Sequence, residues 1–210
     1  MTRSSDWIEA QLAGFGVPPR LLGSTFEGFH ERPGTGAALR AAREWSESPL
    51  DSDLGLVLIG PPGTGKTHLA IAALRERLLR IDEAYPTGPR RAAMFHAHFT
   101  VVPIMLDRLR ADVRTGTVDD GGFAHLRDRC PLLVLDDLGH EQLSDWVTER
   151  VYVLIEARYG RMLPIIVTTN RPLRRLQEDG YGAAVSRLAE MARIVAIGEA
   201  TTDYRLRARR

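Results

Sequence analysis

Gly60-Pro61-Pro62-Gly63-Thr64-Gly65-Lys66-Thr67 stands between an apolar run, Leu54-Gly55-Leu56-Val57-Leu58-Ile59, and a stretch of helical composition and spacing from His68 to Leu79. A buried strand, a glycine-rich turn and a helix, in that order, are the context that a G-x-x-x-x-G-K-T phosphate-binding loop requires. Glycines at 60, 63 and 65 let the backbone point its N–H groups inward around the β- and γ-phosphates of a nucleotide. The helix that follows adds the positive end of its dipole. Lys66 is the only lysine in 210 residues; of 28 lysines and arginines, 27 are arginine. A slender ammonium reaches between two phosphates where a planar guanidinium would displace the loop. Thr67 supplies a hydroxyl suited to Mg²⁺, and His68 opens the helix beside it.

The rest of the composition bounds the answer. With 44% hydrophobic residues the chain can bury one sizeable core, and no shift in composition divides it into two. A formal net charge of +1 excludes the overall basic field of a protein that coats nucleic acid. Local basic patches remain, at Arg171 to Arg175 and in the arginine-rich tail. Cys130 is alone, which excludes an internal disulfide and a cysteine zinc cluster and fits a reducing compartment. No apolar run approaches the ~20 residues that span a bilayer, so the expectation is a cytoplasmic protein with no membrane partner. There is no internal repeat.

Five segments read as strands: Leu54 to Ile59, Ala93 to Phe99, Leu132 to Asp136, Pro164 to Thr168 and Ile194 to Ile197. Helical patterns alternate with them, notably Gly34 to Trp45, Pro103 to Val113, Leu143 to Tyr159 and Ala183 to Ala192. Such alternation implies an α/β fold in which a parallel sheet carries helices on both faces and ligands bind beyond the strands' carboxyl ends. Tyr85 to Arg90 and Arg114 to Gly122 read as loops.

Two of those carboxyl ends carry polar groups. Leu132-Leu133-Val134-Leu135 delivers Asp136 and Asp137 where the strand leaves the core. Asp136 suits a hydrogen bond from Mg²⁺-bound water or from Thr67, and Asp137 suits the general base that polarises an attacking water. Aspartate is shorter than the glutamate of many such ATPases, so slow hydrolysis is expected. The alternative is an aspartate pair that only caps a turn. Pro164-Ile165-Ile166-Val167-Thr168-Thr169 ends in Asn170, whose amide can donate and accept at once between a γ-phosphate and the lytic water. Its alternative is a turn residue ahead of Arg171-Pro172.

These residues, taken in order, resemble the AAA+ ATPases of the DnaC/IstB type, which include replicative-helicase loaders and the ATP-binding helpers of insertion-sequence transposases. Gly14 to Arg20, Thr25-Phe26-Glu27-Gly28-Phe29, Leu132 to Gly139, and Arg158-Tyr159 followed by Thr168-Thr169-Asn170 carry the likeness, from about Gly14 to the C-terminus. The resemblance implies a P-loop NTPase of the AAA+ kind, with ATP and Mg²⁺ bound at a five-stranded parallel sheet of order 5-1-4-3-2. It implies a lead-in and helix over 1–45, an ATPase core over 46–210, and no full helical lid. It also implies self-association through shared ATP sites. Ser186-Arg187-Leu188 is similar to the arginine-finger motif, which would set Arg187 against a neighbour's γ-phosphate. Asp203-Tyr204-Arg205 resembles the tail motif in which Arg205 senses the nucleotide. The alternatives are a solvated helix-face arginine and a frayed basic terminus.

About 50 residues precede the first strand, short of the extra region that a helicase loader uses to grip its helicase. Phe26 and Phe29 would either pack near adenine or plug the core. His96 and His98 flank Ala97 and share a strand face, as a polar sheet edge or, with a third ligand, a metal pair. Arg108, Arg110 and Arg114 fall where this class lines a channel for single-stranded DNA, or else form a solvated helix face. The leading expectation is an ATPase acting on DNA with a replicative helicase, ahead of one that assists a transposase. A binding switch with little turnover is the second class, and a small-molecule kinase, against which the Asn170 motif and the full-length likeness speak, the third.

Overall fold

A computed structural model of the protein describes residues 5–115 and 122–198. Its sheet contains β1 (Gly55–Ile59), β2 (Ala97–Val101), β3 (Leu132–Leu138), β4 (Ile165–Thr169) and β5 (Ala192–Ala196). The strands are parallel and ordered β2-β3-β4-β1-β5, which is the expected order read from the other edge. No helical lid follows β5 among the described residues.

Alternation along the strands builds the layers. Leu56 and Leu58 point into one core with Val134 and Ile166, while Val57 and Ile59 point into the other with Leu133, Leu135, Ile165 and Val167. The first core is closed by α1 (Ser5–Gly14), α2 (Gly36–Glu47) and α3 (Lys66–Ala84). The second is closed by α5 (Val102–Thr115), α6 (Gly122–Asp128), α7 (Asp145–Gly160) and α9 (Gly182–Met191). Shorter helices, α4 (Pro89–Met94) and α8 (Leu173–Leu176), lie between them. Strands covered on both faces need no polar alternation, which is why β1, β3 and β4 read as continuous apolar runs.

The second strand begins later than expected. Gly88 (φ 92°) followed by Pro89 starts a helical turn, because proline is preorganised for the first helical position, and the segment from Pro89 to Met94 coils before β2 begins at Ala97. The outer edge of β2 is covered by the lead-in. The Phe99 amide donates to the Phe15 carbonyl at 2.8 Å. Gly16 (φ 91°) permits that approach, since a Cβ there would lie 2.8 Å from the Phe99 carbonyl oxygen.

Two buried arginines tie loops to this frame without a carboxylate partner among their hydrogen bonds. Arg77 on α3 donates to the carbonyls of Trp45, Ser48, Pro49 and Leu50 and to the Ser48 hydroxyl. Arg158 on α7 donates to the carbonyls of Leu126, Cys130 and Pro164, gathering the end of α6 and the approaches to β3 and β4. Burial pulls both guanidinium pKa values down to about 10. Beside Arg158, the buried Cys130 thiol donates to Leu132 and is pushed up to about 11 by burial, which makes it unreactive. No helix among the described residues is long and apolar enough to cross a membrane.

Candidate nucleotide site

The phosphate loop joins β1 to α3 at the carboxyl end of the sheet. Gly60 donates its amide to Thr169 at 3.1 Å, which fixes the loop to β4. Gly63 (φ 71°) and Gly65 (φ 91°) occupy the left-handed region, and a Cβ at Gly65 would strike the Phe29 ring at 2.5 Å. The Arg32 guanidinium donates to the Gly63 carbonyl, and buried Thr64 donates to Pro61. The loop is therefore held open by the protein's own hydrogen bonds. At its end the Lys66 ammonium donates to the carbonyls of Gly60 (2.7 Å) and Pro61 (2.9 Å) and to Asn170 Oδ1 (2.7 Å).

Asn170 stands just past β4. Its Nδ2 donates to Asp137 Oδ1 at 2.6 Å, so one amide bridges the lysine and the aspartate. Asp136 Oδ1 accepts from Thr67 at 2.8 Å and from Thr168 at 2.7 Å. Burial raises the Asp136 carboxyl above its ordinary value, against the two hydroxyls that favour the anion. A buried carboxylate and a hydroxyl side by side are a hard oxygen donor set, and they fit Mg²⁺. Asp137 has φ 64°, a left-handed conformation that aspartate and asparagine tolerate better than other non-glycine residues. That backbone supplies a reason for aspartate where a longer acid was the pattern. It also accompanies the irregular register of β3 against β4 between Leu135 and Leu138.

Lys66, Thr67, Asp136, Asp137 and Asn170 open onto one cleft of about 590 Å³. His68 lines it too, with its Nε2 2.7 Å from the Thr25 carbonyl. Sequence reasoning gave no site role to seven further lining residues: Pro18, Arg20, Leu21, Phe99, Val101, His140 and Thr168. The first three belong to the lead-in, and their signal was the Pro-Pro-Arg run quoted above only as a resemblance. Phe26 is a core residue stacked under Arg43, and Phe29 packs against His68 and Gly65; neither lines the cleft.

Arg187 is not brought to this cleft. It lies on α9, where Nε donates to Glu156 at 2.6 Å and the guanidinium sits 4.7 Å above the Tyr159 ring and 3.4 Å from Glu190. Arg205 and its motif lie outside the described residues, as does the arginine-rich tail. His96 meets His125 on α6 at 3.2 Å, and no group of three or more histidine, cysteine or acidic residues is arranged for a metal among the described residues. Arg108 and Arg114 are exposed on α5, and Arg110 pairs with Asp107 and covers Trp146. Arg171 pairs with Asp179, and Arg174 and Arg175 pair with Glu178, so much of that basic patch is neutralised locally.

A family model described as IstB-like ATP binding protein matches residues 46–210. An insertion sequence ATP-binding protein of Sinorhizobium fredii is 31% identical over 167 residues, 79% of this chain and 50% of that protein. The replicative helicase loader DnaC of Escherichia coli is 25% identical over 162 residues, 77% of this chain and 61% of the loader. The chain thus spans half to three-fifths of the length of these relatives. A crystal structure of the DnaC helicase loader superposes with a TM-score of 0.69 at 28% identity, covering 86% of this chain and 100% of that one.

Proposed function

This chain belongs to the IstB-like ATP-binding protein family, and from that premise we propose that it hydrolyses ATP slowly and couples the cycle to work on DNA with a protein partner. One observation carries the reading: a lysine in a phosphate loop, an uncharged amide and an acid form one hydrogen-bonded chain, Lys66–Asn170–Asp137, inside the cleft. The loop amides and Lys66 receive the triphosphate, and Lys66 exchanges its carbonyl and amide partners for phosphate oxygens. Asn170 is then freed on its oxygen side to hold the attacking water, and Asp137 takes up that water's proton. Thr67 and Asp136 would hold Mg²⁺, which supplies charge neutralisation at the phosphates when bound. Arg187 acts in a neighbouring subunit's site after leaving Glu156, and Arg205 senses nucleotide from within its own subunit. In this reading copies of the chain associate through their ATP sites, and Arg108, Arg110 and Arg114 contact single-stranded DNA.

Steady-state ATPase assays with and without single-stranded DNA test it. Stimulation by DNA is the expected result, and a rate that stays at baseline favours the binding switch. Two partners remain in view, each with its own support. Helicase loading draws on the structural match that spans the whole resolved DnaC chain, and transposition on the 31% identity to an insertion-sequence protein. Both readings place the protein in the cytoplasm. Pull-down from the native host, with Lys66→Ala as control, separates helicase from transposase.

A further inference from the structure

Two buried polar side chains take no part in the chemistry above. Glu141 is 9% exposed and Tyr181 is 1% exposed. Both oxygens of Glu141 lie 3.1 Å from the Gly139 amide that donates to them, and the Tyr181 phenol donates to Glu141 Oε1. Burial, reinforced by that hydrogen bond, holds the phenol far above its ordinary pKa, so it stays a donor. A phenol donating to a buried carboxylate is a strong, directional contact.

The place of this pair in the chain gives it meaning. Glu141 lies four residues beyond Asp137, in the loop that leaves the end of β3. That loop is pressed against α8, for a Cβ on Gly139 would lie 2.6 Å from Leu176 Cδ2. Tyr181 ends a kinked segment, Gln177–Tyr181, in which Gly180 at φ 95° breaks the helical backbone, and is the residue from which α9 starts. A second tie runs in parallel: Arg171, next to Asn170, pairs with Asp179 in the same turn. Both walls of the cleft, the Asp137 loop and the Asn170 loop, are thus fastened to the turn that launches the Arg187 helix.

We propose that the Glu141–Tyr181 hydrogen bond is a positioning contact, which sets α9, and with it Arg187, according to the state of the nucleotide cleft. The proposal rests on the reading that Arg187 completes a neighbour's site. When Lys66 leaves Asn170 for phosphate, the two loops flanking Asn170 and Asp137 readjust, and the buried phenol–carboxylate pair carries that adjustment to the start of α9. Neither residue touches the nucleotide; both act through Arg187.

Tyr181→Phe in the full chain removes one hydroxyl and keeps the ring that fills the core. ATP affinity by calorimetry is expected to stay within about twofold, since no residue of the cleft changes, while kcat for phosphate release falls by about tenfold or more with KM little altered. Glu141→Ala, which breaks the same contact from the other side, reproduces that loss. Glu141→Gln, which keeps an oxygen to accept from the phenol, restores turnover to within about threefold. The deciding measurement is the pair of Arg187→Ala with Tyr181→Phe. If Tyr181 works through Arg187, the double variant is no slower than Arg187→Ala alone; if the two losses multiply, the contact is merely structural and the proposal fails. Wild-type turnover in Tyr181→Phe alongside a dead Arg187→Ala overturns the positioning role and leaves the finger reading standing. Full turnover in Arg187→Ala removes the finger reading itself and the proposal with it.

Discussion

Asp137→Asn separates chemistry from binding at this site. Asparagine keeps the volume of the side chain and offers an amide oxygen where Asn170 Nδ2 now reaches Asp137 Oδ1 at 2.6 Å. It also tolerates the left-handed backbone (φ 64°) as aspartate does, so the loop has no reason to move. What disappears is the basic oxygen. A positioned general base contributes roughly 10²–10⁴ in rate, which corresponds to about 3–5 kcal/mol of barrier. The thermal midpoint should therefore stay within about 2 °C, and ATP affinity within about twofold, while kcat drops by at least ~100-fold. Phosphate release at saturating ATP and Mg²⁺, beside calorimetric titration, reads all three. Asp137→Glu is the informative companion. The longer acid must adopt a left-handed conformation that costs most residues about 1–2 kcal/mol, so it should melt several degrees lower whatever it does to the rate. An Asp137→Asn protein that still turns over within about threefold of the wild-type rate would refute Asp137 as the base.

Lys66→Ala removes a charged donor whose contacts are each worth about 1.5–3 kcal/mol, and ATP affinity measured by calorimetry should fall by ~100-fold or more. Arg158→Ala leaves the carbonyls of Leu126, Cys130 and Pro164 without their shared donor and opens a cavity. A loss of about 3–5 kcal/mol is expected, seen as a midpoint lowered by roughly 6–20 °C. His96 and His98 both have pKa values lowered from 6.5, chiefly by burial and then by charge on His125, with His96 and Arg108 adding to the effect on His98. The unfolded chain therefore binds more protons than the folded one below about pH 6.5, and stability present above that value is lost as the pH falls toward the folded pKa values. Denaturant titrations from pH 7.5 to about 5 should show this decline, and His96→Gln with His98→Gln should flatten it.

The residues most legible from sequence were those whose chemistry and backbone are local to one motif. Gly60 to Thr67 announces its own turn, and β3 and β4 announce themselves as aliphatic runs that end in Asp136, Asp137 and Asn170. Strand order came only through family resemblance, since nothing in the β2 segment says that it pairs with β3 at the edge. The beginning of β2 was misplaced because Phe95-His96-Ala97-His98 alternates like a strand, while the Gly88-Pro89 signal that coils the preceding residues is shorter and weaker. Contacts between distant segments left no periodic trace. Pro18, Arg20 and Leu21 reach the cleft, Glu156 holds Arg187, and Glu141 meets Tyr181 only because the sheet folds these segments together. Arg158 was quoted as part of a family pattern, and its physical reason, a shared donor for three carbonyls, needed the packing of α7 against β3 and β4.

The scarcity of lysine has a practical corollary. Because Lys66 carries the sole side-chain amine and is 6% exposed, its ammonium enclosed by two carbonyls and an amide, amine-directed chemistry can address one place besides the chain terminus. Reductive methylation with a ¹³C-labelled reagent would install an isotopic reporter in the phosphate loop with no mutagenesis. Protection of that amine from the reagent by bound nucleotide would report loop occupancy, since a dimethylated ammonium keeps one N–H where three contacts now stand.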